Sequence, residues 1–212
     1  MARGISREGI VGAALEVLDD RGIDGVTVRA VAGRLGVRAP ALYYHVRDKQ
    51  ELLDEMGTEI QRRVVAELAG RPPGEHWTDD LVAYARALRT VHLAHRDGAR
   101  TFSGTLVTDP AVLRAQEPWL RRWRAAGVSA IDALDGFDLV TAFVVGFVIE
   151  EQERLRSATD DPTRYADEDR DRRLGDGVPL VAELGRARHD TTARFDRQLD
   201  ALVAGIDARF GR

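Results

Sequence analysis

Residues 27–49 read TVRAVAGRLGVRAPALYYHVRDK, and their spacing decides the fold. Thr27 is placed to cap a short helix running to about Leu35, and Gly36 ends it. A second short helix fits Ala39 to Val46, with Pro40 in its first turn, where a missing N–H does no harm. Leu42 and Val46 stand four apart and face inward, which leaves Tyr43, Tyr44 and His45 outward. Two such helices joined by Gly36-Val37-Arg38, behind an amphipathic helix, fit a three-helix helix-turn-helix module. In that module the second helix of the pair enters the major groove of DNA. The competing reading is a small helical hairpin whose aromatics are core.

Working outward, the periodicity stays helical. Upstream, Ile10, Ala13, Ala14, Val17 and Leu18 follow the one-faced helix pattern, with Ser6 as N-cap and Gly22 as the stop. Downstream, Asp48-Lys49-Gln50-Glu51 has the spacing of a capping box. It opens a long helix with Leu53, Met56, Ile60, Val64 and Leu68 on one side, and the Pro/Gly cluster at 70–74 breaks the chain. Thr78 begins a helix with Leu81, Ala85, Leu88 and Val91 on a face. Asp109-Pro110 opens a stretch through Leu113, Leu120 and Trp123 to Gly127. Ser129 caps a helix that is apolar all round from Leu139. Residues 157–177, rich in Asp and Arg, read as a mobile surface loop. A last helical stretch from Pro179 carries Phe195, Leu199, Leu202, Ile206 and Phe210 as a stripe. The fold class expected is all-α, with a three-helix head over residues 1–48 and a larger body over 49–212, of which 49–69 is a connecting helix.

Composition narrows the function. The chain has 212 residues, 44% of them hydrophobic and 31% charged, enough for a real core in one large domain or two small ones. The longest mainly apolar run, 139–149, is well short of the roughly 17–25 residues that cross a bilayer. No leader pattern is present, so a soluble, cytoplasmic protein without a membrane partner is expected. Cysteine is absent, which excludes disulfides, thiol catalysis and thiolate metal sites. The net charge of −4 is uneven: residues 1–50 carry eight Lys/Arg against six Asp/Glu, and the remainder is acidic. A mildly basic head on an acidic body allows a polyanion at one end only.

Enzyme signatures are missing. No GxxxxGK[ST], GxGxxG, GxSxG or HExxH occurs. His92 and His95, three apart on one predicted helix, have the spacing to share a metal, but hydrogen bonding is the commoner use of such a pair. Glu150, Glu151 and Glu153 lack the Glu-x-x-His partners of a di-iron bundle. Neither catalysis nor a bound metal or cofactor is expected.

Residues 5–53 resemble the TetR family of bacterial transcription repressors. The likeness rests on AALEVLDDRGIDGVTVRAVAGRLGVRAPALYYHVRDKQELLD. It extends more loosely toward the tetracycline-repressor branch through EHW at 75–77, HRDGAR at 95–100, Gly104-Thr105 and VIEEQE at 148–153. The resemblance implies a DNA-binding head, a linking helix, and a body that binds an effector and dimerises. Carried over, the DNA contacts fall on Thr27, Arg29, Arg38, Ala39, Pro40, Ala41, Tyr43, Tyr44, His45 and Lys49. Ala39 stands where that branch has a base-reading glutamine and offers only a methyl group. In the tetracycline sensors a histidine before the Gly-Thr pair helps hold a drug-bound magnesium; Phe102 stands there instead. The other drug-facing positions become Val65, Tyr84, Leu88 and Trp119, with Thr105 and Glu150 kept and Val144 and Phe147 beside them. Such a pocket suits an apolar, aromatic effector with few polar anchors. Trp123 and Phe137 fit either core or pocket.

A homodimer is expected through Val140 on the helix at 129–152 and Phe195, Leu199, Leu202 and Ile206 on the last one, because these leave more apolar surface than one small body hides. The function expected is a ligand-responsive repressor on an inverted-repeat operator in double-stranded DNA. The alternative is a helical ligand-binding protein or enzyme with a vestigial head.

Overall fold

In a computed structural model, residues 5–72, 74–175, 177–187 and 190–210 are described. Pro73 of the Pro/Gly cluster and Asp176 of the acidic segment fall outside them. Among the described residues there are helices and no strands. The head is α1 (Arg7–Arg21), α2 (Val28–Arg34) and α3 (Ala39–Leu42). Ser6 Oγ accepts from Gly9 N–H at 3.1 Å to start α1, and Thr27 Oγ1 accepts from Ala30 N–H at 3.0 Å to start α2. Gly22 ends α1 at φ 73°, a left-handed geometry that glycine adopts without strain.

The second helix of the pair is shorter than expected. It stops at Leu42, and Tyr43–His45 form a turn closed by His45 N–H and Val46 N–H, both donating to the Leu42 carbonyl at 2.8 and 2.9 Å. Leu42 and Val46 face the core all the same.

The spine is α4 (Lys49–Leu68). Asp48 Oδ1 accepts from Glu51 N–H at 2.9 Å, but Glu51 does not complete a capping box; its carboxylate accepts from Arg47 N–H at 2.6 Å. The buried stripe is Leu52, Met56, Ile60 and Val64, and Leu53 is only partly covered. Leu52 and Met56 belong to the head core with Ile10, Leu18, Val31 and Leu42. Ile60 and Val64 belong to the body core with Leu81, Leu88, Trp123 and Phe195. One helix therefore carries both cores.

In the body, α5 (Trp77–Leu93) packs against α4, α6 (Gly98–Phe102), α8 (Glu117–Ala125), α9 (Ala130–Asp160) and α12 (Thr191–Phe210). The stretch expected to run from Pro110 to Gly127 is split into α7 (Pro110–Arg114) and α8, which restarts with Pro118 in its first turn. The acidic segment is not a loop. Residues 157–160 end α9, and α10 (Asp167–Leu174) and α11 (Pro179–Arg186) follow. Intrahelical pairs such as Arg170–Asp167 and Arg172–Asp169 support α10, and the Arg154 guanidinium lies 4.3 Å over the Tyr165 ring.

Helix α9 is not buried all round. Val140, Val144, Phe147 and Val148 are buried, whereas Leu139, Ala142 and Gly146 are exposed. The expected dimer stripe needs correcting for the same reason: Val140, Phe195, Leu199 and Ile206 are buried within this single chain, and Leu202 is half-buried.

Candidate nucleic-acid interface and effector cavity

None of the ten expected DNA contacts is buried. Thr27, Arg29, Arg38, Pro40, Tyr43, Tyr44 and Lys49 are exposed; Ala39, Ala41 and His45 are half-buried. Tyr43 and Tyr44 are 55% and 89% exposed, which removes the reading in which they fill a core. Two large rings held in water beside Arg38 and Lys49 form a surface suited to base edges flanked by phosphate contacts. The turn is fixed from behind: Arg7 Nη2 donates to the His45 carbonyl at 2.7 Å, a contact the sequence pattern did not reveal.

Below the head lies a cavity of about 610 Å³. Helix α4 supplies Gln61, Val64, Val65 and Leu68; α5 supplies Tyr84; α6 supplies Phe102; α8 supplies Trp119; and α9 supplies Leu134, Phe137, Asp138 and Thr141. Phe137 stacks against Trp119, with centroids 6.4 Å apart, and against Trp123 at 4.8 Å, and meets Tyr84 edge-on at 5.4 Å. Trp123 itself is core, its indole N–H donating to buried Asp80 at 2.8 Å. The Tyr84 hydroxyl lies 3.1 Å from Thr141 Oγ1. Burial pushes that phenol above its ordinary range, so it stays protonated and available as a donor.

Of the expected effector residues, Val65, Tyr84, Phe102 and Trp119 line this cavity. Leu88, Val144 and Phe147 do not; they are buried in the body core. Thr105 is also outside, its hydroxyl donating to the Phe102 carbonyl at 2.8 Å, and Glu150 is exposed and paired with Arg154 at 3.9 Å. Sequence spacing missed Gln61 and Thr141 and left Phe137 open between core and pocket, where it lines the cavity. Phe137 and Thr141 share one face of α9 at i, i+4, a signal confounded by the apolar residues around them.

Head and body meet beside α6. The residue before that helix, Asp97, sits in the left-handed region at φ 55°, accepts from Ile23 N–H of the head at 3.0 Å, and pairs with Arg156 of α9 at 2.7 Å. Burial disfavours its charge, yet the Ile23 N–H and Arg156 outweigh this and hold the carboxyl below its usual range. A side chain at Gly22 would bring a Cβ within 2.7 Å of Asp97 Oδ2, so glycine lets the two parts close. His95 bridges the same seam: Arg63 of α4 donates to its Nε2 at 2.6 Å, which leaves Nδ1–H to donate to Asp19 of the head at 3.0 Å. His92 is fully buried, its ring 5.7 Å from Phe102. The two histidines therefore do not converge on a shared centre.

Residues 10–56 match the family described as bacterial regulatory proteins, tetR family, and residues 69–210 match the tetracyclin repressor-like C-terminal domain. The chain belongs to the TetR family. It is 34% identical over 209 residues to the class D tetracycline repressor of Escherichia coli, covering 99% of this chain and 92% of that one. Among solved structures, it resembles a possible TetR family transcriptional regulator from Streptomyces coelicolor A3(2), with a TM-score of 0.77, 32% identity, and 96% and 99% of the two chains covered. It also resembles TetR(class A) in complex with 5a,6-anhydrotetracycline and magnesium, with a TM-score of 0.67, 30% identity, and 95% and 96% covered. This TetR-family member is a ligand-responsive DNA-binding transcription regulator.

Proposed function

We propose that this regulator is a homodimeric repressor of the cytoplasm, without catalytic activity, that leaves an inverted-repeat operator when a small hydrophobic, aromatic effector enters the cavity. In this reading residues 1–48 form the DNA-binding head, 49–212 the effector-binding and dimerisation body, and 49–69 the helix between them. The observation that carries it is the course of α4. It starts directly after the recognition turn and its far half, from Gln61 to Leu68, forms a wall of the cavity. A ligand that displaces that wall moves the head on the same rigid element.

The cavity's size falls within the roughly 300–1,000 Å³ typical of small-molecule sites, and its rings favour a flat aromatic ligand. Phe102 offers no metal donor, and Thr105 and Glu150 do not line the cavity, which leaves Asp138 as its one lining carboxylate and favours a ligand bound without a metal. Pairing between copies falls to the surfaces that the core leaves open: Leu139, Ala142 and Gly146 on α9, and Gln198, Ala201, Leu202 and Gly205 on α12. A Cβ added at Gly146 or Gly205 meets nothing within 4 Å, so these faces admit close backbone approach. A two-fold pair presents two recognition turns, and the operator must share that symmetry.

The test is binding to the promoter DNA beside the protein's own gene at about 100–150 mM salt, where non-specific phosphate attraction has faded. A specific shift is expected. Tyr43→Ala should weaken specific binding more than non-specific binding, while Lys49→Ala weakens both and lowers the salt slope by about one. Absence of any specific shift would sink the repressor reading.

A further inference from the structure

We infer that Arg7 is a positioning residue for DNA recognition: its guanidinium, joining the His45 carbonyl to Glu51 and Glu55 of α4, sets how Tyr43, Tyr44 and His45 are presented. This rests on the reading that the turn at 43–45 meets DNA.

A helix of four residues cannot hold its own geometry, because its single turn has no further hydrogen bonds to propagate. The carbonyls of the turn that follows it, outside any helical ladder, need donors from elsewhere. Arg7 provides one. Its Nη2 donates to the His45 carbonyl at 2.7 Å, and its Nη1 donates to Glu55 Oε1 at 2.7 Å. Nη2 also lies 3.4 Å from Glu51 Oε1. Glu51 is anchored in turn by Arg47, from the backbone N–H at 2.6 Å and from Nε at 3.0 Å. One planar group thus ties the start of α1, the end of the recognition turn and the first two turns of α4.

Two features mark this as a built contact. Arg7 is the first residue of α1, where a cation faces the positive end of its own helix, so the position gains nothing from helix electrostatics. The Glu55 side chain is only 6% exposed, and without Arg7 its carboxylate would be buried and unpaired. Lysine cannot reproduce the fork, being a single point charge. The Arg7 side chain is also 48% exposed, which makes a direct phosphate contact the competing role.

The experiment separates the two. Wild-type protein enriches a duplex from randomised DNA, and affinities for that duplex and a scrambled one are measured over about 50–300 mM salt. Wild type, Arg7→Gln and Arg7→Lys are compared, with melting temperatures recorded. Positioning predicts that Arg7→Gln loses about ten- to a hundredfold on the enriched duplex. Its affinity for the scrambled duplex should change less than about threefold with an unaltered salt slope, and Arg7→Lys should fall on the same side despite keeping the charge. Equal losses on both duplexes with a slope reduced by about one, or wild-type binding by Arg7→Lys, would overturn the inference in favour of a phosphate contact. If Arg7→Gln does not fold, the double variant Arg7→Gln, Glu55→Gln leaves no buried charge unpaired and carries the same expectations. Failure of wild type to enrich any duplex would instead overturn the DNA-binding reading beneath it.

Discussion

His92 shows how far one side chain departs from what its residue type suggests. Burial holds its imidazole at about 4, below the ordinary 6.5. A base lowered in the folded state is protonated first in the unfolded chain. The stability it leaves intact above pH 6.5 is therefore lost as pH falls toward 4. The loss amounts to about 2 kcal/mol by pH 5. His92→Leu should remove this component, so that its melting temperature drops by about 4–8 °C less than that of wild type between pH 7 and pH 5. Equal drops would place the acid sensitivity elsewhere. Sequence spacing could only weigh hydrogen bonding against a shared metal for this pair, because i, i+3 reports a shared helix face and not which groups approach it from other helices. Asp19 and Arg63, which occupy His95, lie far from it in the chain.

The helical elements were legible because their caps are local chemistry: Ser6, Thr27, Asp48, Asp109 and Ser129 all accept from backbone N–H groups at helix starts. What spacing did not disclose was the direction in which an apolar face points. Leu199 and Leu202 read alike in sequence, yet Leu199 is fully buried in its own chain and Leu202 only partly. Leu199→Glu would place a charge in the core and test folding instead of pairing. Changes on the open faces test pairing alone. Ala142→Glu combined with Ala201→Glu should give a monomer by light scattering, with a cooperative melt retained and operator binding lost. A dimer that survives both changes would move the interface off α9 and α12. The acidic segment misled for a related reason: residues 167–174 carry nothing apolar before Leu174, but their charges alternate at spacings that pair along a helix.

Across the molecule, two contacts join head to body at the points a cavity ligand would disturb. Asp97 immediately precedes α6, which ends in the cavity-lining Phe102, and Arg63 immediately precedes the cavity-lining Val64 on α4. A ligand that displaces Phe102 or Val64 therefore strains the contacts to Ile23 and Asp19 of the head. If ligand and operator favour different settings of this seam, each must weaken the other by the same factor. A coupling of about 1–3 kcal/mol corresponds to roughly 5–150-fold weaker operator binding. With Phe102 in place of a metal-binding side chain, release should not depend on magnesium. The measurement is titration of polycyclic aromatic compounds, 5a,6-anhydrotetracycline among them, against the preformed protein–DNA complex with and without EDTA. Stacking on Trp119 and Phe137 supplies a second readout, quenching of tryptophan emission, which should saturate at the same ligand concentration as release. Release in EDTA is the expected result. Release that requires magnesium would overturn the metal-free reading of the cavity and point to Asp138, its lining carboxylate, as the donor.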